Sequence, residues 1–261
     1  MIRLGVLGWP VAHSRSPAMQ NAALAALGLG ETWHYELLPV APDELAAAVA
    51  RLPGEGFAGA NVTIPHKEAA LALATDPTPA AAAIGAANTL TFGPGGAVAA
   101  DNTDAPGLID ALPVPAAGLT ALVLGAGGSA RAAVWALTQA GAREVAVWGR
   151  TPARARDLVE DFGARLVEAP VAADLLVHCT SIGLDGGDAV AELGLDVGAY
   201  PTVVDLVYTA GGTPLVRQAR AAGCATVDGL EILVRQGARS LEQWTGRSAP
   251  LDVMRTAAAA G

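Results

Sequence analysis

The chain has 261 residues, of which 52% are hydrophobic, and its 16 basic against 25 acidic side chains leave a net charge of −9. At about 100 to 200 residues per domain, this length predicts two domains. So acidic a balance excludes the broad positive footprint that binding a nucleic-acid backbone requires, and Gly, Pro and charges interrupt every apolar run before the ~20 residues of a membrane span.

In chain order, the apolar run at residues 2–7 reads as a first strand and not as a leader, because Pro10, His13, Ser14 and Arg15 follow before any cleavage-like stretch. Helical patterns at 17–28 and 42–52 and a second apolar strand at 58–64 make an α/β layer. Residues 77–87 read as helix, 89–92 and 97–100 as a hairpin around Gly93-Pro94-Gly95-Gly96, and 105–112 as helix. Pro113, Pro115 and Gly118 mark a linker. Beyond it come a strand at 120–124, a glycine turn, a helix to Gln139 and a strand at 144–148. Further strands at 174–179 and 202–207, with helices between them, predict a parallel, doubly wound sheet. After Gly229 the chain turns helical through Gln243 and again from 250 onward. Cys179 and Cys224 are the only cysteines and lack metal-ligand spacing, so no disulfide framework or metal site is expected and a reducing, cytoplasmic setting fits.

The turn reads Gly125-Ala126-Gly127-Gly128-Ser129-Ala130 between an apolar strand and a helix. The first glycine permits the tight turn, the second lets the backbone approach a pyrophosphate, and the small Ala130 allows close helix-to-strand packing. An acidic residue after the second strand would bind a ribose 2′-hydroxyl. The chain instead has Arg150, Thr151 and Arg154 there, and two cations favour the 2′-phosphate of NADP. The plainer reading of Arg150 and Arg154 is a solvated charge pair on the next helix.

Fifteen of the sixteen basic residues are Arg, and Lys67 is the sole lysine. A lysine can give up a proton where an arginine cannot, which makes Lys67 a candidate proton donor; the alternative is an ordinary surface lysine. Lys67 lies in Asn61-Val62-Thr63-Ile64-Pro65-His66-Lys67, where a strand ends and a helix begins, and alternation puts Asn61 and Thr63 on one face. Asn88, Thr89 and Asn102-Thr103-Asp104 fall in neighbouring short segments, and Asp104 also suits a helix start. Ser14-Arg15-Ser16-Pro17 places two hydroxyls before a helix, with Ser16 suited to the N-cap; the same hydroxyls suit a carboxylate.

Taken together with Asp228-Gly229 leading to Gln236, these segments resemble shikimate dehydrogenase over essentially the full chain. The resemblance implies an N-terminal α/β substrate domain (1–104 and 229–261) and a Rossmann-like NADP-binding domain (105–228), with the active site in the cleft between them. It implies NADPH-dependent, reversible reduction of 3-dehydroshikimate to shikimate in aromatic amino acid biosynthesis. Lys67 and Asp104 would be the catalytic pair; Ser14, Ser16 and Tyr208 would meet the substrate carboxylate, and Thr63, Asn88 and Gln236 its ring substituents. Gly125, Ala126, Gly127, Gly128, Ser129 and Ala130, with Arg150, Thr151, Arg154 and the backbone of Gly229, would hold the cofactor. The family includes monomers and dimers. Three positions depart from its pattern: Gly149 stands where Asn is usual, His178 begins a segment that usually starts with Asn, and Tyr208-Thr209-Ala210 replaces Tyr-Asn-Pro. Competing readings are a quinate or aminoshikimate dehydrogenase, and a non-catalytic NADP-sensing module, which has no need of the Lys67 and Asp104 pair.

Overall fold

The computed structural model describes residues 1–209 and 211–260; Ala210, at the end of the Tyr208-Thr209-Ala210 segment, and Gly261 lie outside the described residues. The described chain divides into two compact units, Met1–Asp104 with Val234–Gly261, and Ala105–Leu233.

The first unit contains β1 (Ile2–Gly8), α1 (Ser16–Ala26), β2 (Trp33–Pro39), α2 (Leu45–Arg51), β3 (Phe57–Val62), α3 (Lys67–Ala72), β4 (Asp76–Pro77), α4 (Pro79–Ile84), β5 (Thr89–Phe92) and β6 (Val98–Asp101). Its sheet runs β2-β1-β3-β5-β6-β4. β1 pairs in parallel with β2 and β3, whereas β5 runs antiparallel to both β3 and β6. Leu7, Ala60, Val62, Leu90 and Ala100 from these strands pack with Leu45, Ala48 and Val49 of α2 in one buried cluster. β2 is an addition to the elements read from sequence. Trp33, Tyr35 and Leu37 alternate with His34, Glu36 and Leu38, but only Tyr35 is buried, so the strand lacks the apolar run of β1. The helix read over 77–87 is shorter because Thr78 Oγ1 caps it, accepting from Ala81 N at 3.1 Å, and Gly85, at φ 74°, ends it.

The second unit contains α5 (Asp104–Ala111, whose first residue closes the first unit), β7 (Thr120–Leu124), α6 (Gly128–Gln139), β8 (Glu144–Trp148), α7 (Pro152–Phe162), β9 (Arg165–Leu166), β10 (Leu175–His178), α8 (Ala189–Leu193), β11 (Thr202–Asp205), α9 (Pro214–Ala221) and β12 (Ala225–Val227). The chain then enters α10 (Gly229–Thr245), within which it returns to the first unit, and ends in α11 (Leu251–Ala260). The sheet order is β12-β11-β10-β7-β8-β9, with all pairs parallel. Alternate residues serve opposite layers. Ala121, Val123, Val145, Val147, Leu175 and Val177 pack on one side with Val134 and Leu137 of α6, while Leu122, Leu124, Ala146, Leu176 and Val203 pack on the other with Leu215 of α9. Burial on both faces is what a parallel sheet covered by helices demands. The chain adopts the α/β class expected, with a doubly wound second sheet whose order reverses between β7 and β10.

Candidate active site

Strand pairing gathers the polar segments of the first unit at one end of its central strands. β1 and β3 are parallel neighbours, so the chain leaving β1 toward Ser14 runs beside the chain leaving β3 toward Lys67. Thr63 N donates to Leu7 O at 2.8 Å and Trp9 N to Ile64 O at 3.1 Å. Because β5 is antiparallel to β3 and β6, Asn61 pairs with Thr89, and Thr89 with Asp101, which brings the start of β5 and residues 102–104 to the same end of the strands.

There Lys67 Nζ donates to Asp104 Oδ2 at 2.5 Å, with both side chains 12% exposed. Asn88 Nδ2 donates to the other carboxylate oxygen, Asp104 Oδ1, at 2.9 Å and to Gln236 Oε1 at 3.1 Å. Asn88 Oδ1 accepts from Thr103 N at 2.7 Å, which fixes the orientation of the amide, since a backbone N–H requires an acceptor. Asp104 thus starts α5 and also meets two side-chain donors. An ammonium held at this distance from a carboxylate, with the carboxylate oriented by a second donor, has only local freedom and is accessible to a bound ligand through its remaining exposure.

The network extends beyond the residues given roles from sequence. Asn61 Nδ2 donates to Ser240 Oγ at 2.8 Å, Asn61 Oδ1 accepts from Tyr35 Oη at 2.8 Å, and Thr89 Oγ1 and Thr103 Oγ1 lie 2.8 and 3.2 Å from Ser240 Oγ. Asn61, Thr89, Thr103 and Ser240 are all buried, and burying so many polar atoms is tolerable only because they satisfy one another. Ser240 was readable in one respect: it follows Gln236 by four residues in α10 and so shares its face. Tyr35 carried no comparable signal, since its partner comes from another strand.

Ser14 and Ser16 are joined to each other, Oγ to Oγ, at 3.2 Å, and Ser14 Oγ accepts from Ser16 N at 3.3 Å. Ser16 begins α1, so the N-cap is Arg15, one residue earlier than the sequence suggests, and its own side chain makes no capping bond. Arg15 turns to α11, donating from Nη1 to Ala258 O at 2.8 Å. Thr63 is half-buried and its Cγ2 would be met at 2.5 Å by a Cβ on Gly8, so Gly8 permits the two loops to approach.

In the second unit Gly125 takes φ 126°, and a Cβ there would lie 3.0 Å from Cys179 O. Gly127 is the N-cap of α6 and brings no side chain to its first amides, and a Cβ there would meet nothing within 4 Å. Gly125 is buried, Ala126 through Ser129 are half-buried and Ala130 is buried. The turn therefore presents backbone N–H groups at a helix N-terminus, the donor set a pyrophosphate requires. Arg150, Thr151 and Arg154 are exposed after β8; Arg150 Nη2 donates to Ser181 Oγ at 3.5 Å. At Gly149, a Cβ would lie 3.1 Å from Ala155 Cβ and 3.3 Å from Ala126 Cβ, so the turn and α7 close on a residue without a side chain. Tyr208 is half-buried after β11, and Gly229 is buried at the start of α10, where a Cβ would meet the Val207 and Leu206 backbone at 2.6–2.7 Å. Among the described residues no cluster of three His, Cys, Asp or Glu is placed to hold a metal, and no helix is long and apolar enough to cross a membrane.

The chain is similar to known proteins along most of its length. Residues 6–90 match the shikimate dehydrogenase substrate binding domain, 113–181 the shikimate / quinate 5-dehydrogenase family, and 229–259 the shikimate 5'-dehydrogenase C-terminal domain. The chain is 46% identical to shikimate dehydrogenase (NADP(+)) of Anaeromyxobacter sp. over 98% of this chain and 95% of that protein. It is 43% identical to the protein of that name from Paracoccus denitrificans over 95% and 92%. The crystal structure of shikimate 5-dehydrogenase from Thermus thermophilus in complex with NADP(H) and shikimate is similar at a TM-score of 0.88, 41% identity and coverage of 99% and 98%. On the strand-end cluster around its only lysine, the glycine turn of its doubly wound unit and these matches along its length, the chain belongs to the shikimate dehydrogenase family.

Proposed function

We propose that the protein catalyses the reversible NADPH-dependent reduction of 3-dehydroshikimate to shikimate, a step of aromatic amino acid biosynthesis. The observation that carries this reading is the 2.5 Å contact of Lys67 Nζ with Asp104, whose second oxygen is held by Asn88. NADPH, when bound, supplies the hydride. Lys67 stabilises the negative charge that develops on the carbonyl oxygen and donates the proton that makes it a hydroxyl; in the reverse direction it takes that proton back. Asp104 orients the ammonium, and Asn88 orients Asp104. Ser14 and Ser16 hold the carboxylate, while Thr63, Asn88 and Gln236 hydrogen-bond the ring hydroxyls. Gly125 through Ala130 receive the pyrophosphate on the open N-terminus of α6, Arg150, Thr151 and Arg154 receive the 2′-phosphate, and the Gly229 backbone meets the nicotinamide.

A sensing module would have no use for an ammonium and carboxylate oriented for proton transfer, so the enzymatic reading is preferred. The proposal includes a cytoplasmic enzyme, monomeric or homodimeric, that acts on dissolved small molecules. The test is absorbance of the reduced nicotinamide with shikimate or quinate, each with NADP and with NAD. Turnover greatest with shikimate and NADP is expected. Preference for quinate would reassign the substrate, and no turnover with any pair would sink the enzymatic reading.

A further inference from the structure

We propose that a buried pair, His178 and Asp205, positions both halves of the cofactor site, and this rests on the reading that the second unit holds NADP. The two residues are partners at the last rung between β10 and β11 and are both fully buried. His178 Nδ1 donates to Asp205 Oδ1 at 2.8 Å. From that rung two chains of hydrogen bonds lead outward. On one side, His178 Nε2 shares a hydrogen bond of 2.6 Å with Thr180 Oγ1, which accepts from Ile182 N at 3.1 Å. On the other, Asp205 Oδ1 accepts from Val207 N at 2.9 Å and Oδ2 from Thr213 Oγ1 at 2.6 Å.

The first chain fixes residues 179–182 at the point where the strand order reverses, which is where doubly wound sheets bind nucleotides. That segment is the surface on which the glycine turn rests: Gly125 leaves no room for a Cβ beside Cys179 O, and Ser181 Oγ accepts from Arg150. The second chain fixes residues 206–207, against whose backbone Gly229 packs with no space for a side chain. A single rung thus anchors the support of the pyrophosphate turn and of Arg150 on one side and of the nicotinamide-facing glycine on the other. Apolar residues of similar volume would serve folding at least as well as an ionisable pair in a sheet interior, so its function is sought in the geometry it imposes. His178 and Asp205 act as positioning residues, through Thr180 and Val207.

The test is Thr180→Val in the full chain, which keeps the volume and the His178 to Asp205 contact but removes the hydroxyl between His178 and the loop. NADPH affinity is read by fluorescence titration, and KM for shikimate by steady-state assay. Loss of the two bonds made by Thr180 Oγ1 should weaken NADPH binding by roughly threefold to tenfold or more. The KM for shikimate at saturating NADP should change less than about twofold, and Thr180→Ser should restore NADPH affinity. In a His178→Ala background, where Thr180 Oγ1 keeps only its bond from Ile182 N, Thr180→Val should cost less than it does alone. Unchanged NADPH affinity in Thr180→Val, or an equal rise in the shikimate KM, would overturn the proposal; if His178→Ala does not fold, the Val and Ser variants decide alone. Because the titration needs no turnover, an unmutated protein that binds NADPH but does not oxidise shikimate would refute the proposed function and not this one.

Discussion

Lys67→Ala tests the proposed chemistry most directly. The substitution removes the ammonium that sits 2.5 Å from Asp104 and leaves Asp104 Oδ1 still accepting from Asn88 at 2.9 Å, so the carboxylate keeps one of its two donors. Ser14 and Ser16 bond to each other and not to Lys67, and the glycine turn lies in the other compact unit, so the groups assigned to the substrate carboxylate and to the cofactor keep their supports. A positioned general acid contributes about 10² to 10⁴ in rate, or about 2.7 to 5.5 kcal/mol of barrier. The fall should therefore appear in kcat, with the KM values for shikimate and NADP changed by much less, the signature of a group used in the transition state and not for ground-state binding. The assay is steady-state reduction of NADP with shikimate, with NADPH affinity measured separately by fluorescence. Lys67→Arg should be nearly as poor, because the guanidinium keeps its proton. A kcat for Lys67→Ala within tenfold of the unmutated protein, or a loss carried by KM alone, would refute the assignment.

Replacing Arg150 and Arg154 together by Ala should weaken NADP binding by a few kcal/mol, at about 1.5 to 3 per charge-assisted contact, and leave NAD binding unchanged; equal losses for the two cofactors in parallel titrations would count against the phosphate assignment. Gly59→Ala should lower stability by about 1 to 3 kcal/mol or more, measured by urea denaturation, because the added Cβ would approach Leu90 O to 2.6 Å and press on the Trp244 indole that donates to that same carbonyl at 3.1 Å. Asp174 Oδ2 accepts from Thr120 N at 2.8 Å and from Thr120 Oγ1 at 2.7 Å, and these bonds, ahead of the cost of desolvation and with help from Arg143, hold its carboxyl below the usual range. A depressed folded value means that the contribution is complete above the unfolded value and fades as pH falls through the folded one. Asp174→Asn should therefore lose stability near neutrality and show a flatter acid limb; parallel acid limbs in the two proteins would contradict it.

How much of the site could be read from sequence depended on how far apart its parts lie along the chain. Asn61 to Lys67 is one local segment, a strand end and a helix start, and its motif was visible as such. The glycine turn was equally local, since strand, turn and helix follow within twenty residues, from Thr120 to Gln139. Ser240 and Tyr35 enter the network from elements distant in sequence, and His178 meets Asp205 only because β10 and β11 are neighbours. β2 escaped because its alternation is short and only one of its residues is fully covered, so burial, which usually marks a strand, is weak there.

By itself the sequence determined the periodicities, breakers and short motifs: the α/β alternation, the glycine turn, the cations after β8 and the single lysine. These are properties of residues within a few positions of one another, where backbone sterics and side-chain chemistry act without reference to the rest of the chain. Tertiary structure alone decided strand order and register, and with them which polar atoms share a buried space. The 2.5 Å approach of Lys67 to Asp104, across thirty-seven positions, and the rung joining His178 to Asp205, across twenty-seven, exist because strands pack at fixed spacings and buried polar groups must find partners there.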